Sequence, residues 1–344
     1  MGLLKVPGLS GYEKPVRLLI EDAWRPLVDR LSISKLGSLH GYKAGNGNLP
    51  RPSILISTHM DAIGLLVTGL TGGYIRFTKI GQVDPRSLPG QGVTIHGRKS
   101  VPGVIVMPPA RLLPPGYGEK PVEIQYLLID TGLPHETLEN TIRVGDLISF
   151  SQQPLQLTDD IIAGHSLDNR ASVAALTLCL EELHSHSPVW DVWAVASTQE
   201  EEGGVGAYTS GFQLKPDLAI AIDVTFAHSP GTPDTGTFPL GGGVTIGWGA
   251  SIHPGLTAAF RDLADRLEIP YKLEIMPHRS GTDADGLQMT AEGIPCMLIS
   301  IPIRYMHTPV EMVNMRDIHR AGRLLAEFII QLTPNFMEQL VWKD

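Results

Sequence analysis

Residues 190–206, WDVWAVASTQEEEGGVG, restrict the fold of this chain more than any other stretch. An apolar run ends in three adjacent carboxylates, Glu200, Glu201 and Glu202, and glycines follow directly. A short apolar run bounded by turn residues is typical of a strand buried on both faces of a sheet. Adjacent carboxylates repel one another unless a positive group lies among them. The stretch therefore predicts either a solvated loop, as is usual for a charge run, or an acidic cluster at a strand end.

Strand and helix patterns alternate along much of the chain. Apolar runs predict strands, and apolar residues at helical spacing predict helices. The main predicted strands cover residues 53–58, 190–198, 218–224, 271–276 and 297–301, and the main predicted helices cover 11–28, a segment from Leu167 and 317–332. The first helix has a candidate capping box, Ser10 followed by Glu13. This alternation indicates an α/β fold with a mostly parallel sheet and helices on both faces.

Residues 66–154 have a different composition, dense in glycine and proline. Between these residues lie short β-type runs at 74–77, 93–95, 104–106, 124–129 and 147–150, and one short helix is predicted at 136–140. Short strands with regular turns predict a small β-barrel or sandwich. We expect residues 1–65 and 156–344 to form the catalytic domain, and 66–155 to form an inserted β-rich domain for structure or assembly.

Composition excludes several classes of partner. The net charge is -9 over 344 residues, and no basic patch is visible, so nucleic acid and anionic membranes are not expected partners. No run of 18 apolar residues and no signal peptide are visible, which predicts no membrane span. Two isolated cysteines, Cys179 and Cys296, fit a reducing compartment. The predicted location is the cytoplasm.

Candidate ligands occur where predicted strands end or a helix begins. They are His59, Asp61, Asp168, Glu200, Glu201, Asp223 and His307. In open α/β sheets, ligands bind outside the carboxyl ends of the strands. Two imidazoles and three carboxylates without a thiolate suit zinc, cobalt or manganese, and a shared carboxylate allows two ions about 3.5–4 Å apart. A further glutamate could take a proton from water.

Each candidate ligand also has a simpler role. Asp168 could cap its helix, and a histidine near a strand end is often an ordinary polar residue. Four other histidines compete as ligands, and spacing does not exclude them: His165, His228, His253 and His278.

Six motifs carry a resemblance to a known family. In chain order they are STHMDAIG, SLDNR, STQEEEGGVGA, AIDVT, SGTDAD and IPIRYMHTPVE. Together they resemble the M42 family of metallo-aminopeptidases, the tetrahedral or glutamyl aminopeptidases that are often labelled endoglucanases. The resemblance extends from about Ser10 to the end of the chain. It implies a zinc-peptidase type of α/β fold with an inserted small β-barrel.

The resemblance also implies roles for the candidate residues. It places His59 and Asp223 on one metal, Glu201 and His307 on the other, and Asp168 between both. Glu200 would be the general base for a metal-bridging hydroxide, and Asp61 would orient His59. Two divalent ions per subunit are implied, zinc first, with cobalt or manganese as alternatives. The substrates would be peptides with a free N-terminus, and dimers would assemble into a dodecamer.

Four positions depart from the family pattern or add to it. Ala62 stands where the family usually has glutamate, and Asn169 replaces the second aspartate of its LDDR motif. Residues 277–280, PHRS, replace a glycine-rich lead into the GTDA motif, and Glu202 is predicted to be a solvated neighbour. Alternative functions are another metal-dependent amidohydrolase or deacylase, a glycosidase with paired carboxylates, or a non-catalytic scaffold.

Overall fold

The helices and strands of the chain are taken from a computed structural model, which describes residues 1–114 and 121–340. The helices are α1 (Lys14–Trp24), α2 (His135–Thr141), α3 (Leu167–His184), α4 (Val205–Leu214), α5 (Pro254–Arg266), α6 (Asp283–Gln288), α7 (Met315–Ile330) and α8 (Phe336–Gln339). The strands are β1 (Arg30–Ile33), β2 (Leu39–Lys43), β3 (Ser53–His59), β4 (Gly64–Thr71), β5 (Tyr74–Ile80), β6 (Gly92–His96), β7 (Ser100–Val106), β8 (Leu128–Asp130), β9 (Leu147–Phe150), β10 (Leu155–Gln156), β11 (Ile161–Gly164), β12 (Asp191–Ser197), β13 (Leu218–Phe226), β14 (Val244–Gly249), β15 (Tyr271–Met276), β16 (Cys296–Arg304) and β17 (Glu311–Asn314).

A large mixed sheet forms the main layer of the molecule. Its strand order is β1-β2-β12-β3-β13-β16-β17-β11-β10, and β14 and β15 branch from β16. The central strands β12, β3, β13 and β16 are parallel to one another, and the strands on either side of them in this order pair antiparallel. In the branch, β14 pairs antiparallel with β16 and parallel with β15. Parallel neighbours align their carboxyl ends at one edge of a sheet. The α/β prediction is therefore confirmed, with antiparallel additions at the sides.

Helices cover both faces of this sheet. On β3, Ile54 and Ile56 belong to the larger core under α1, α3, α5 and α7, whereas Leu55 belongs to a smaller core with residues of α4 and α6. Successive strand residues point to opposite faces, so this alternation requires apolar cover on both sides. In the part of the chain that the structure describes, no helix is long and apolar enough to span a bilayer.

The glycine-rich and proline-rich segment folds as a closed barrel. Its strand order is β4-β5-β8-β7-β6-β9, all neighbours are antiparallel, and its strands extend from Gly64 to Phe150. Closure removes unpaired edges, and the inward side chains form a separate apolar core. The barrel and its short helix α2 confirm the prediction. The strand predicted at 124–129 is wrong in its first half, where a 3₁₀ turn covers residues 124–126, and is confirmed at its end, where Leu128–Asp130 pairs as a strand.

The first helix is shorter than its sequence pattern predicts. It begins at Lys14 with a proline in its first turn, and Ser10 makes no capping hydrogen bond. Glu13 instead turns outward from the helix, and its Oε1 accepts from the N–H groups of Gly11 at 2.6 Å and Gln199 at 3.2 Å. The predicted capping box is therefore wrong, because the glutamate binds a loop at the sheet edge.

Candidate metal centre

The carboxyl ends of the central strands bring the predicted ligands together. His59 is the last residue of β3 and lies level with Ser197, where β12 ends before the loop that carries Glu200 and Glu201. Asp223 lies near the end of β13, and His307 follows β16. Asp168 enters from the first turn of α3. Residues far apart in sequence therefore meet at one edge because their strands are parallel.

The donor atoms form two groups that share one residue. One group is His59, Asp168 and Asp223, and the other is Asp168, Glu201 and His307; within each group the atoms lie within 4.8 Å of one another. His59 Nε2 is 3.1 Å from Asp168 Oδ1 and 3.7 Å from Asp223 Oδ1. His307 Nε2 is 3.2 Å from Asp168 Oδ2 and 3.7 Å from Glu201 Oε2. Asp168 thus presents one carboxylate oxygen to each group.

The chemistry of this donor set fits divalent cations. Imidazole nitrogens and carboxylate oxygens without thiolates are ligands for zinc, cobalt or manganese. Glu201 Oε1 is buried and has no hydrogen-bond partner, as expected for an oxygen whose function is to bind a cation. Burial raises the pKa of Asp223 to about 6, and burial together with the charge of Asp168 raises the pKa of Glu201 well above its ordinary value. A bound cation would stabilise the ionised form of both carboxyl groups.

The pKa values of His59 and of Asp168, the residue shared by both groups, shift against the direction that burial alone would give. Burial alone would lower the pKa of His59, but the surrounding carboxylates, Glu200 foremost, raise it well above its ordinary value. Burial would raise the pKa of Asp168, but hydrogen bonds from His307 and His59 lower it below its ordinary value. Asp168 is therefore the carboxylate of this cluster that is ionised most readily.

Glu200 lies beside the two groups without belonging to either. Its Oε2 is 3.8 Å from His59 Nε2, and 14% of its side chain is exposed. Burial raises its pKa well above the ordinary value for glutamate. A carboxylate that adjoins the ligands and is left free of them can exchange a proton with a bound water or substrate.

Asp61 has a wider set of contacts than the sequence indicates. His59 Nδ1 is 3.2 Å from the backbone oxygen of Asp61 and 3.4 Å from its Oδ1. The two carboxylate oxygens also accept from the backbone N–H groups of Glu200 at 3.1 Å and Glu201 at 3.2 Å. One buried carboxylate therefore fixes both the imidazole and the acidic loop.

Glu202 is not simply a solvated neighbour. It is exposed, but its Oε1 accepts from the N–H of Gly81, 2.7 Å away, in the barrel segment that follows β5. Gly81 has a φ of +73°, and a Cβ atom there would lie 3.2 Å from Glu201 Oε2. The barrel thus contacts the acidic loop directly, which the sequence did not reveal.

The competing histidines lie in neither donor group. His165 packs edge-on against Phe150, with ring centroids 5.0 Å apart, and burial lowers its pKa to about 3. His228 Nδ1 is 2.7 Å from Thr237 Oγ1, and His253 accepts from Gly255 at the start of α5. His278 is exposed. Among the described residues, both groups of donor atoms are formed by the predicted ligands alone.

The two departures nearest the cluster are both buried. Ala62 pairs through its backbone with the N-terminal segment: its N–H donates to Gly8 O at 2.9 Å, and its carbonyl accepts from Ser10 N at 3.3 Å. Asn169 is buried, and its Nδ2 donates to Ile222 O at 3.0 Å, next to Asp223. An amide can make this bond and an ionised carboxylate cannot.

Two buried carboxylates at the site were not singled out from the sequence. Asp283 Oδ2 accepts from Ser57 Oγ at 2.6 Å and Ser197 Oγ at 2.5 Å. Glu311 accepts from the N–H groups of two predicted ligands, Asp168 and His307. Both lie inside recognised motifs, but nothing in a motif identifies the N–H or hydroxyl that a carboxylate will meet.

Comparison with known proteins agrees with the geometry. The family model described as M42 glutamyl aminopeptidase matches residues 37–324. A lysyl aminopeptidase of Pyrococcus furiosus is 33% identical over 339 residues, covering 96% of each chain. The solved structure of an aminopeptidase from Desulfurococcus kamchatkensis superposes with a TM-score of 0.91 at 33% identity, covering 99% of this chain and 97% of that one. The TET1 peptidase of Pyrococcus horikoshii gives a TM-score of 0.83 at 28% identity, covering 96% and 98%.

These matches, together with the sheet-edge cluster, define the class of the protein as a peptide hydrolase of the aminopeptidase type. The family can also be stated: the chain belongs to the M42 family. The resemblance carried by the six motifs is therefore confirmed, and so is the combination of a mixed α/β sheet with a closed barrel.

Proposed function

We propose that this chain removes N-terminal residues from peptides with the help of two divalent metal ions. The observation that carries the proposal is the position of Asp168, whose two oxygens face two imidazoles on opposite sides. His59 and Asp223 would hold one ion, Glu201 and His307 the other, and Asp168 both, with zinc as the first choice and cobalt or manganese as alternatives. When bound, such ions polarise a peptide carbonyl and lower the pKa of water.

Glu200 is assigned the proton transfer. Its carboxylate adjoins His59 but belongs to neither donor group, so it is free to take a proton from the attacking water. It then delivers that proton to the amine nitrogen that leaves the cleaved peptide bond. Asp61 holds the N–H groups of Glu200 and Glu201, so the base and a ligand keep a fixed separation.

Substrates with a free amino terminus are proposed from the relatives and from the charge of the whole chain. The relatives are named aminopeptidases, among them the lysyl aminopeptidase of Pyrococcus furiosus. The carboxylates of the donor groups would balance the charge of bound cations, whereas the net charge of -9 over the whole chain mildly favours a protonated α-amine over an uncharged N-acetylated terminus. We therefore expect cleavage to begin at the N-terminal residue of the substrate.

The proposal can be tested by a matched pair of glutamate substitutions. Glu200→Gln removes the base and leaves every ligand in place, so kcat for aminoacyl anilides should fall by about 10²–10⁴-fold in the presence of zinc or cobalt. The adjacent Glu202→Gln is the control, and it should retain most of the activity because Glu202 belongs to neither donor group and a glutamine oxygen can still accept from Gly81 N. If the Glu200 variant kept most of its activity, Glu200 could not be the base.

We also propose that the chain forms dimers through residues 66–155, and that these dimers assemble into a dodecamer. The related TET1 peptidase of P. horikoshii can assemble into a tetrahedron or a large octahedral shell.

A second contact surface, which would join one dimer to another, is proposed outside residues 66–155. Trp248 and Ile275 are paired across β14 and β15, and 46% and 67% of their surfaces are exposed. Large apolar side chains exposed side by side are typical of an association surface.

We further propose a cytoplasmic location, supported by the state of the thiols. Cys179 and Cys296 are both buried, and neither forms a disulfide. Unpaired cysteines are usual in reducing compartments. Fractionation of the source cells would test this proposal, because recovery of the protein mainly from an oxidising compartment would contradict it.

A further inference from the structure

We propose that Glu311 is a positioning residue that fixes the geometry of one donor group, the group formed by Asp168, Glu201 and His307. The inference rests on the proposed function, because it concerns the residues assigned to the metal ions. Glu311 belongs to neither donor group, and both of its carboxylate oxygens accept from backbone N–H groups. It acts through the backbone of two ligands, Asp168 and His307.

The contacts of Glu311 connect two distant segments of the chain. Its Oε2 accepts from Asp168 N at 3.1 Å, and its Oε1 accepts from His307 N at 3.0 Å. Only 1% of its surface is exposed, so water does not compete for these bonds. Asp168 is the shared ligand and His307 belongs to one group alone. A single carboxylate thus sets the separation of two ligands of the same group.

Both segments have backbone conformations that need support. His307 has a φ of +61° and Tyr305 has a φ of +59°. Residues other than glycine rarely adopt such positive φ angles. Ser166, two residues before Asp168, has a φ of +69°. Such conformations persist where neighbouring groups over-determine them, and a buried carboxylate oxygen that accepts from the N–H of His307 is a group of this kind.

Two backbone N–H groups point at the side chain of residue 311, so this position needs a side chain with two acceptor atoms, as a carboxylate has. An ionised glutamate has two acceptor oxygens, whereas glutamine has one oxygen and one NH₂ donor. In a Glu311→Gln variant, one backbone N–H would face the NH₂ group and lose its partner. The size of the side chain would be almost unchanged, so the substitution isolates the second hydrogen bond.

Asp317 offers a matched control away from the centre. It is fully buried, its Oδ2 accepts from Gly241 N at 2.7 Å, and its Oδ1 accepts from Gly243 N at 2.9 Å. It therefore also binds two backbone N–H groups with one carboxylate. None of these residues belongs to the donor groups. Asp317→Asn removes one such backbone bond, and weakens the ion pair of Asp317 with Arg320, without touching a ligand.

The test is a cobalt titration of the metal-depleted wild-type protein and the two variants. The visible absorption of bound Co²⁺ reports ligand geometry, and kcat and KM for an aminoacyl anilide are measured in parallel. For Glu311→Gln we expect Co²⁺ affinity at one site to fall about 10–100-fold, an altered spectrum, and a lower kcat at saturating cobalt with KM nearly unchanged. Asp317→Asn should keep the affinity and spectrum of the wild type.

The outcomes separate this inference from the proposed function. Wild-type affinity, spectrum and kcat in Glu311→Gln would overturn the inference, and so would equal losses of cobalt affinity in both variants. If Glu311→Gln does not fold, Glu311→Asp replaces it, since the shorter carboxylate reaches only one of the two N–H groups. A wild-type protein that binds cobalt but cleaves no anilide overturns the proposed function alone. A wild-type protein that binds no cobalt overturns both.

Discussion

Buried carboxylates at the sheet edge bind backbone N–H groups as well as the side chains of the candidate ligands. Asp61 accepts from two consecutive N–H groups of the acidic loop, and Glu13 accepts from Gly11 and from Gln199, which has a φ of +56°. Loops that leave a sheet have N–H groups without a strand or helix partner, and a buried N–H must find an acceptor. Ionised oxygens make stronger hydrogen bonds than neutral ones. Loop shape at this site therefore depends on charge.

The buried His40 should make stability depend on pH. Its Nε2 lies 2.9 Å from Ser210 Oγ, its Nδ1 has no partner, and burial lowers its pKa to about 4. Between pH 6.5 and 4, the unfolded chain binds a proton at this residue and the folded chain does not. Stability from His40 is thus fully present above pH 6.5, and it is lost as the pH falls towards 4, by about 3 kcal/mol in all.

His40→Gln removes this dependence and can be compared with the exposed His184→Gln. Free energies of unfolding are measured by denaturant titration at pH 7 and pH 4.5, with chelator present in every sample. Relative to the wild type, the His40 variant should gain stability as the pH is lowered, whereas the His184 variant should show no such trend. A difference between His40→Gln and wild type that is the same at both pH values would contradict the assignment.

At the scale of elements, buried strands were the most predictable part of the chain. The runs that became β3, β12, β13 and β16 are apolar on both faces, because helices cover the sheet on both sides. A polar residue at the end of such a buried run is costly unless it is hydrogen-bonded, paired with a charge or bound to a ligand. This is why His59 and Asp223 could be selected as ligands from the sequence.

Other elements could not be predicted because their pattern is weak. Strands β1, β2, β11 and β17 are four or five residues long and lie towards the sides of the sheet, where pairing with neighbours decides their conformation. The run at 124–129 has strand-like residues, yet half of it is a 3₁₀ turn. The contacts of Glu13 and Glu311 were hidden for a related reason: one donor of each, Gln199 and Asp168 respectively, comes from a distant segment.

At the scale of the whole molecule, the barrel and the sheet meet at the functional site. The bond from Gly81 to Glu202 joins the barrel to the loop that carries Glu200 and Glu201, the proposed base and a proposed ligand. His165, just before α3, packs against Phe150 of β9. Two separate apolar cores are therefore connected through residues next to the donor groups.

The assembly proposed above predicts a large particle in solution. Twelve copies of a 37.3 kDa chain give about 450 kDa, which mass photometry or analytical ultracentrifugation would resolve from smaller species. Ile275→Asp places a charge on the exposed apolar pair with Trp248, so we expect this variant to shift towards smaller species. A wild-type protein that remains monomeric at micromolar concentration would contradict the assembly.

The central claim is that the sheet-edge cluster is a two-metal aminopeptidase centre. Its most direct test is to add zinc or cobalt stepwise to chelator-treated protein, and to measure hydrolysis of a panel of aminoacyl anilides and their N-acetylated counterparts. We predict that activity is absent without metal, rises until two ions per chain are bound, and is confined to substrates with a free amino terminus. Full activity in metal-free protein, or equal cleavage of the acetylated substrates, would contradict the claim.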